Sequence, residues 1–313
     1  MPNHASSSAC TSTFADRHIH GVAGVDFATS SVAEIREALA LLASRRTTRV
    51  TASLPSLSLD VIGTALERLN ALYAEGLIEG AHLEGPFIAT DYAGAHPPHV
   101  LQIPDSSMGQ RFVETVVEQQ ANSPLVTMMT VAPELPGFSE LARQLVAHGI
   151  QPALGHTGAT YEQFRDAIDV IAELTDKPVV ITHLYNAMRG FHHRDPGPIL
   201  AVVEAAEAHQ VSIELIADGH HVDLGLIRWW FDHYPDTIRL VSDASAATGI
   251  AGHTPISPQH PRLGHHLLQH HPEHGPRLAD GHTIASGSQD LLAIHDDLVA
   301  AGFDHELVCA AMR

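Results

Sequence analysis

Residues 178–188 read PVVITHLYNAM: a β-branched apolar run closes on a threonine and a histidine, and an asparagine follows three residues after the histidine. A short apolar run behind a proline reads as a buried strand. An imidazole at its end then sits on one rim of the sheet. The pattern recurs in DRHIHG (16–21), GAHLEGPF (80–87), ALGHTGA (153–159), IADGHHVD (216–223) and LVSDASAATG (240–249), each placing His, Asp or Glu where an apolar run stops. If these runs are strands of one sheet, their polar ends gather on a single rim, as an active site requires.

Working outward, the candidate strands are RHIHG, RVTASL, GAHLEG, LVTMMTV, PALGH, VVITHL, VSIELIAD and IRLVSDA. Between them Val32, Ile35, Leu39 and Leu42, and then Ile62, Leu66, Leu69 and Tyr73, fall at helical spacing. YEQFRDAIDVIAEL, PILAVVEAAEAH and LGLIRWWFDHY supply further helices. Strands alternating with helices or long loops, at roughly 30 residues per unit, predict a (β/α)8 TIM-type barrel. A doubly wound open sheet is the main alternative, but HGVAGVD after the first strand lacks the G-x-G-x-x-G phosphate fingerprint. In a barrel, catalytic groups sit at the C-terminal ends of strands, where these clusters fall.

The 313 residues, 44% apolar and 17% charged, suit a folded globular chain with a large core. A tail over residues 1–15 and a single catalytic barrel over 16–313 are expected. The formal charge of −19, with Lys177 the only lysine, opposes nucleic acid and anionic lipid as partners. No run approaches the roughly 20 apolar residues of a membrane span, and the N-terminal MPNHASSSACTSTFA lacks the basic start and apolar core of a signal peptide. Cys10 and Cys309 fit no zinc or redox spacing, so a cytoplasmic location is the simplest reading. Of the 25 histidines, eight crowd residues 253–282 among prolines and glycines. This tract, about 250–282, reads as a biased surface loop, with an accessory metal-binding tract as the alternative.

The clusters carry definite chemistry. His18 and His20, two apart on a strand, aim at one face and form a half-shell for a divalent ion, or an ordinary polar pair. Glu84 ends an apolar strand in a chain poor in basic partners, which favours a metal over a salt bridge. His156 and His183 close neighbouring strands and complete three protein ligands around an open position; each alone would equally serve as a hydrogen-bonded core residue. The open position takes water, whose pKa the metal lowers towards 7. Asp243 is placed to take and return a proton, because SAATGIAG after it is a poor helix to cap. Of His220 and His221, one is expected to reach the site. Arg194 is a candidate anion ligand or a solvated surface arginine.

The stretches HIHGVAGVDF, GAHLEGPFI, GAHPPH, LGHTGAT, THLYNAM, IADGHHVD and LVSDASAATG, in this order, resemble the amidohydrolase superfamily and, within it, the N-acetylglucosamine-6-phosphate deacetylases. A weaker echo continues through TIASGSQDLLAIHDDLVAAGF. The resemblance implies that Glu84, His156 and His183 hold the main divalent ion, zinc or another such as Fe2+. It implies that His18 and His20, with Asp243 beside them, help hold a second where two are bound. Asp243 would be the general acid/base. His221 would stabilise the oxyanion. His96, Asn186, Ala187, Arg194 and His221 would bind the sugar phosphate, with Ile284, Ala285 and Ser286 as further contacts. The arginine matching Arg194 commonly reaches the phosphate of a neighbouring subunit, which implies a homodimer. The implied reaction converts N-acetylglucosamine 6-phosphate to glucosamine 6-phosphate and acetate. Other readings are deacetylation of another N-acetyl amino sugar and a non-catalytic metal-binding barrel. The family builds a small β-sandwich from both ends of its chain, and that domain is expected to be absent here.

Overall fold

The computed structural model describes residues 13–257, 261–271 and 275–313. Its frame is a parallel eight-stranded sheet in chain order: β1 (Phe14–Ile19), β2 (Thr47–Leu54), β3 (Gly80–Glu84), β4 (Val126–Val131), β5 (Gln151–Leu154), β6 (Val179–Ile181), β7 (Val211–Leu215) and β8 (Ile238–Leu240). Each expected strand is present. Around the barrel run α1 (Val32–Ser44), α2 (Leu59–Ala74), α3 (Ser107–Asn122), α4 (Phe138–Ala147), α5 (Tyr161–Leu174), α6 (Gly197–Glu207), α7 (Leu224–His233), α8 (Leu291–Ala300) and α9 (His305–Ala311). Local chemistry sets several helix starts. Ser31 with Glu34 and Thr160 with Gln163 form capping boxes at α1 and α5, and Asp290 and Asp304 cap α8 and α9. The apolar stripes of these helices close over the strands in one continuous core.

The closing seam positions much of the site. β8 pairs with β7 but stops at Leu240. The chain beyond it meets β1 through Asp243 N–H to His18 O (2.9 Å) and His20 N–H to Ala244 O (2.7 Å). Where β1 changes register between Asp16 and Ile19, the Asp16 carboxylate accepts the Ser242 N–H at 3.2 Å in place of a ladder bond. These bonds bring His18, His20 and Asp243, far apart in sequence, onto neighbouring backbone.

Residues 262–271 and 275–278 differ from the expected surface loop. They form an antiparallel sheet of β9 (Arg262–Leu263), β10 (His266–His271) and β11 (Gly275–Leu278). Gly264, at φ +55°, makes the tight turn between β9 and β10. Leu263 and Leu268 bury themselves against Ala95, Ala247 and Ala285. The histidine bias hides the signal, because the leucines that anchor the sheet are few and widely spaced.

Among the described residues no helix is long and apolar enough to cross a membrane. Cys10, one of the two cysteines behind the expected cytoplasmic location, lies outside the described residues.

Candidate active site

At the C-terminal rim lies a cavity of about 420 Å3, whose lining includes His20, Glu84, His96, His156, His183 and Asp243. Glu84 is the last residue of β3. His156, His183 and Asp243 lie two or three residues past their strands and take left-handed backbone angles, φ +49°, +25° and +49°. Non-glycine residues rarely adopt these angles. The strain turns the chain out of its strand, and such strain clusters where structure serves a site.

The ligand atoms form two triangles. In the first, Glu84 Oε1 lies 3.0 Å from His156 Nε2 and 2.9 Å from His183 Nε2, and the two nitrogens are 3.1 Å apart. In the second, His18 Nε2 and His20 Nε2 are 3.2 Å apart and lie 3.5 and 3.3 Å from Asp243 Oδ1. Two ligands about 2.0–2.1 Å from a tetrahedral ion would sit about 3.3–3.4 Å from each other. The second triangle has about this spacing and the first is slightly tighter; they adjoin through His18 Nε2, 3.5 Å from Glu84 Oε1.

Tautomers sharpen this test. The Tyr92 carbonyl, 2.8 Å from His156 Nδ1, can only accept, so Nδ1 carries a proton. In neutral His156 the Nε2 lone pair then faces the Glu84 carboxylate oxygen at 3.0 Å. Two acceptors hold that distance only with a cation between them, a proton or a metal. Glu214 plays the orienting role for His18, its Oε2 lying 3.0 Å from Nδ1.

His20 and the buried carboxylates Glu84 and Asp243 hold each other charged. Burial would raise the pKa of Glu84, but His96, His18 and His156 hold it well below the carboxylate range. Burial would discharge His20, yet its bonds to Asp243 and Glu84 push its pKa up to about 9. Against the same burial, His20 and His18 keep Asp243 ionised, as a proton acceptor must be.

His96, expected to contact substrate, lines the cavity and also lies against Glu84. The Ser56 backbone N–H donates to its Nδ1 at 3.0 Å, and its Nε2 lies 3.0 Å from Glu84 Oε2. Burial lowers its pKa to about 4, so it is a neutral donor that orients Glu84. His221 lines the cavity and His220 is exposed, so one of the two reaches the site. Asn186, Ala187, Ile284 and Ala285 also line the cavity. Ser286 is buried behind it, its Oγ on Ser245 Oγ at 2.6 Å. Arg194 is exposed and outside the lining.

Sequence reasoning passed over four contributors. Glu214 carries the same signal as Glu84, a carboxylate inside an apolar strand. Asp218 accepts from His221 Nδ1 at 3.0 Å and is held well below the usual carboxylate range, its own burial opposed by His221 and by backbone N–H groups. Tyr92 acts through its carbonyl, which no side-chain motif reveals. Leu263, from the expected loop, joins the cavity wall. Among the described residues no candidate metal-holding group includes a histidine of the 253–282 tract.

No family model matches the chain. It is 33% identical over 245 residues to an N-acetylglucosamine-6-phosphate deacetylase of Vibrio furnissii, an alignment covering 75% of this chain and 56% of that protein. It is 31% identical over 247 residues to an N-acetylgalactosamine-6-phosphate deacetylase of Escherichia coli O157:H7, covering 76% of this chain and 60% of that one. The crystal structure of N-acetyl-D-glucosamine-6-phosphate deacetylase from Mycobacterium smegmatis superposes with a TM-score of 0.81 at 32% identity, covering 96% of this chain and 75% of that chain. The chain thus spans less than two thirds of the length of these sequence relatives.

Proposed function

Because the chain belongs to the N-acetylglucosamine-6-phosphate deacetylase family, we propose that it hydrolyses the acetamide of N-acetylglucosamine 6-phosphate, giving glucosamine 6-phosphate and acetate. The observation that carries this reading is the triangle of Glu84 Oε1, His156 Nε2 and His183 Nε2 at the floor of the rim cavity. The cavity, at about 420 Å3, is of the size that encloses a small ligand.

Glu84, His156 and His183 would hold the principal divalent ion, zinc by preference, and His18, His20 and Asp243 a second where two are bound. Such an ion polarises a carbonyl and makes water a nucleophile near neutral pH. The chain's own groups do the rest. Asp243, ionised and beside the cluster, accepts the proton of the attacking water and delivers it to the departing amine. His221, its Nδ1–H held by Asp218 and its pKa raised by that carboxylate, would present Nε2–H to the cavity as an imidazolium, a donor that stabilises the developing oxyanion. Asn186, Ala187, Ile284 and Ala285 shape the sugar pocket around these groups.

Arg194 lies outside the cavity, so its service as a phosphate ligand requires a second copy of the chain, and we take the active form to be a homodimer. A charged sugar phosphate does not cross lipid, which supports a cytoplasmic site of action. The organisation proposed is a single catalytic barrel that opens with β1 at Phe14, two residues before the expected boundary.

Acetate release measured on metal-stripped protein, with and without added zinc, tests the reading. The substrates are N-acetylglucosamine 6-phosphate, N-acetylgalactosamine 6-phosphate and unphosphorylated N-acetylglucosamine. Zinc-dependent turnover of the first, lost by about 10²-fold or more in Asp243→Asn, is the expected result. A folded, metal-binding protein that turns over none of the three overturns it.

A further inference from the structure

At the opposite, N-terminal mouth of the barrel lies a second cavity, of about 450 Å3, which the deacetylase reading does not use. Its walls come from the starts of the strands: Gln151 opens β5, Lys177 precedes β6, and Ser212 and Arg239 are the second residues of β7 and β8. Arg17, from the irregular stretch of β1, completes it. The bottom layer of such a barrel is ordinarily packed with branched apolar side chains. Here it holds two guanidiniums and the chain's single lysine, in a protein of net charge −19.

The charges do not cancel locally. The lining carboxylates are Glu79 and Glu214. Glu79 gives Oε1 to Arg49 outside the cavity, and Glu214 gives Oε2 to His18. Arg239 spends its Nη1 on the backbone carbonyls of Asp236 and Ile238. The half-buried Arg17 guanidinium has no hydrogen bond or ion pair among the described residues. A partly buried guanidinium without an acceptor, facing other cations, is a costly arrangement that an anion relieves.

The geometry points to a binding site for a small polyvalent oxyanion, a phosphate or sulfate group or a small molecule that carries one, with Arg17 as its principal ligand. Arg239 and Lys177 supply further charge, and Ser212 and Gln151 hydrogen bonds. The site lies at the opposite mouth from the rim cavity, and Glu214, which lines it, also holds His18.

Sulfate is a suitable probe because it binds anion sites without stripping divalent ions. Calorimetric titration of sodium sulfate into the zinc-loaded 313-residue chain, with ionic strength held constant by chloride, should give a saturable isotherm. Arg17→Met should weaken it at least tenfold, Arg17→Lys should retain more of it than Arg17→Met, and Arg239→Met should weaken it to a lesser degree. Circular dichroism and zinc content identify variants that fold, and Arg239→Met serves if Arg17→Met does not. Equal isotherms for wild type and a folded Arg17→Met, or a non-saturable response, overturn the proposal.

Discussion

Asp218→Asn is the most informative single substitution. Oδ1 of Asp218 accepts the backbone N–H groups of His220 and His221, both at 3.0 Å. Oδ2 accepts His221 Nδ1–H at 3.0 Å, the Ser288 N–H at 2.9 Å and the Ser288 hydroxyl at 3.0 Å. Asparagine keeps the shape but turns one oxygen into a donor. The Ser288 hydroxyl can rotate and the imidazole can change tautomer, but a backbone N–H can do neither. At least one buried donor is stranded, at about 1–3 kcal/mol. Losing the buried charge beside His221 brings the total to about 3–5 kcal/mol. At about 2 °C per kcal/mol for a domain of this size, the melting temperature should fall by about 6–10 °C.

The same change has a pH signature. His221 has a raised pKa: its burial opposes charge, but Asp218 and, more weakly, Asp243 prevail. Its contribution to stability is therefore complete below the unfolded value of about 6.5 and lost as pH rises through the folded value. The depressed Asp218 contributes above about 3.9 and loses its contribution as pH falls. If charged His221 is the oxyanion donor, kcat/KM declines as pH rises through its pKa, and in Asp218→Asn that alkaline limb moves to lower pH. The assay is acetate release against pH, beside melting curves of both proteins. A lower melting temperature with an unmoved limb would refute the electrostatic argument; an unchanged melting temperature would refute the packing argument.

Three further outcomes are expected. Chelation should lower the melting temperature, and zinc at about 100 times its Kd should restore about 2.7 kcal/mol; calorimetry that shows no response to either would contradict the two ligand triangles. A Cβ on Gly287 would stand 1.8 Å from the Ser242 carbonyl oxygen, so Gly287→Ala should cost about 1–3 kcal/mol by denaturant titration and displace Ala285 and Asp243 enough to lower kcat. Leu263→Ala removes part of the cavity wall contributed by the His-rich tract, and should raise KM by about tenfold for roughly 1–3 kcal/mol of lost apolar contact, with zinc content unchanged.

Much of the site was legible because a strand's end is a local event. Glu84, His156, His183 and Asp243 each interrupt an apolar run, and a barrel sends every such interruption to one rim. Residues that act through the backbone or from another element left no comparable mark. Tyr92 fixes the His156 tautomer through a carbonyl, and Asp218 governs His221 from three residues away. His96 lies in a loop, where sequence does not show that it reaches Glu84 as well as the cavity.

The sequence by itself determined the alternation of strand and helix, hence the barrel, and the residue types at its mouth, because periodicity and strand termination depend on near neighbours in the chain. Only the tertiary structure decided how those residues meet. The seam between β1 and the chain after β8 sets the His18–His20–Asp243 triangle, long-range packing carries Leu263 from a histidine-rich tract into the cavity wall, and closure of the barrel gathers Arg17, Lys177 and Arg239 at its far mouth. Each is a contact between segments distant in sequence, whose geometry depends on register and closure rather than on any local pattern.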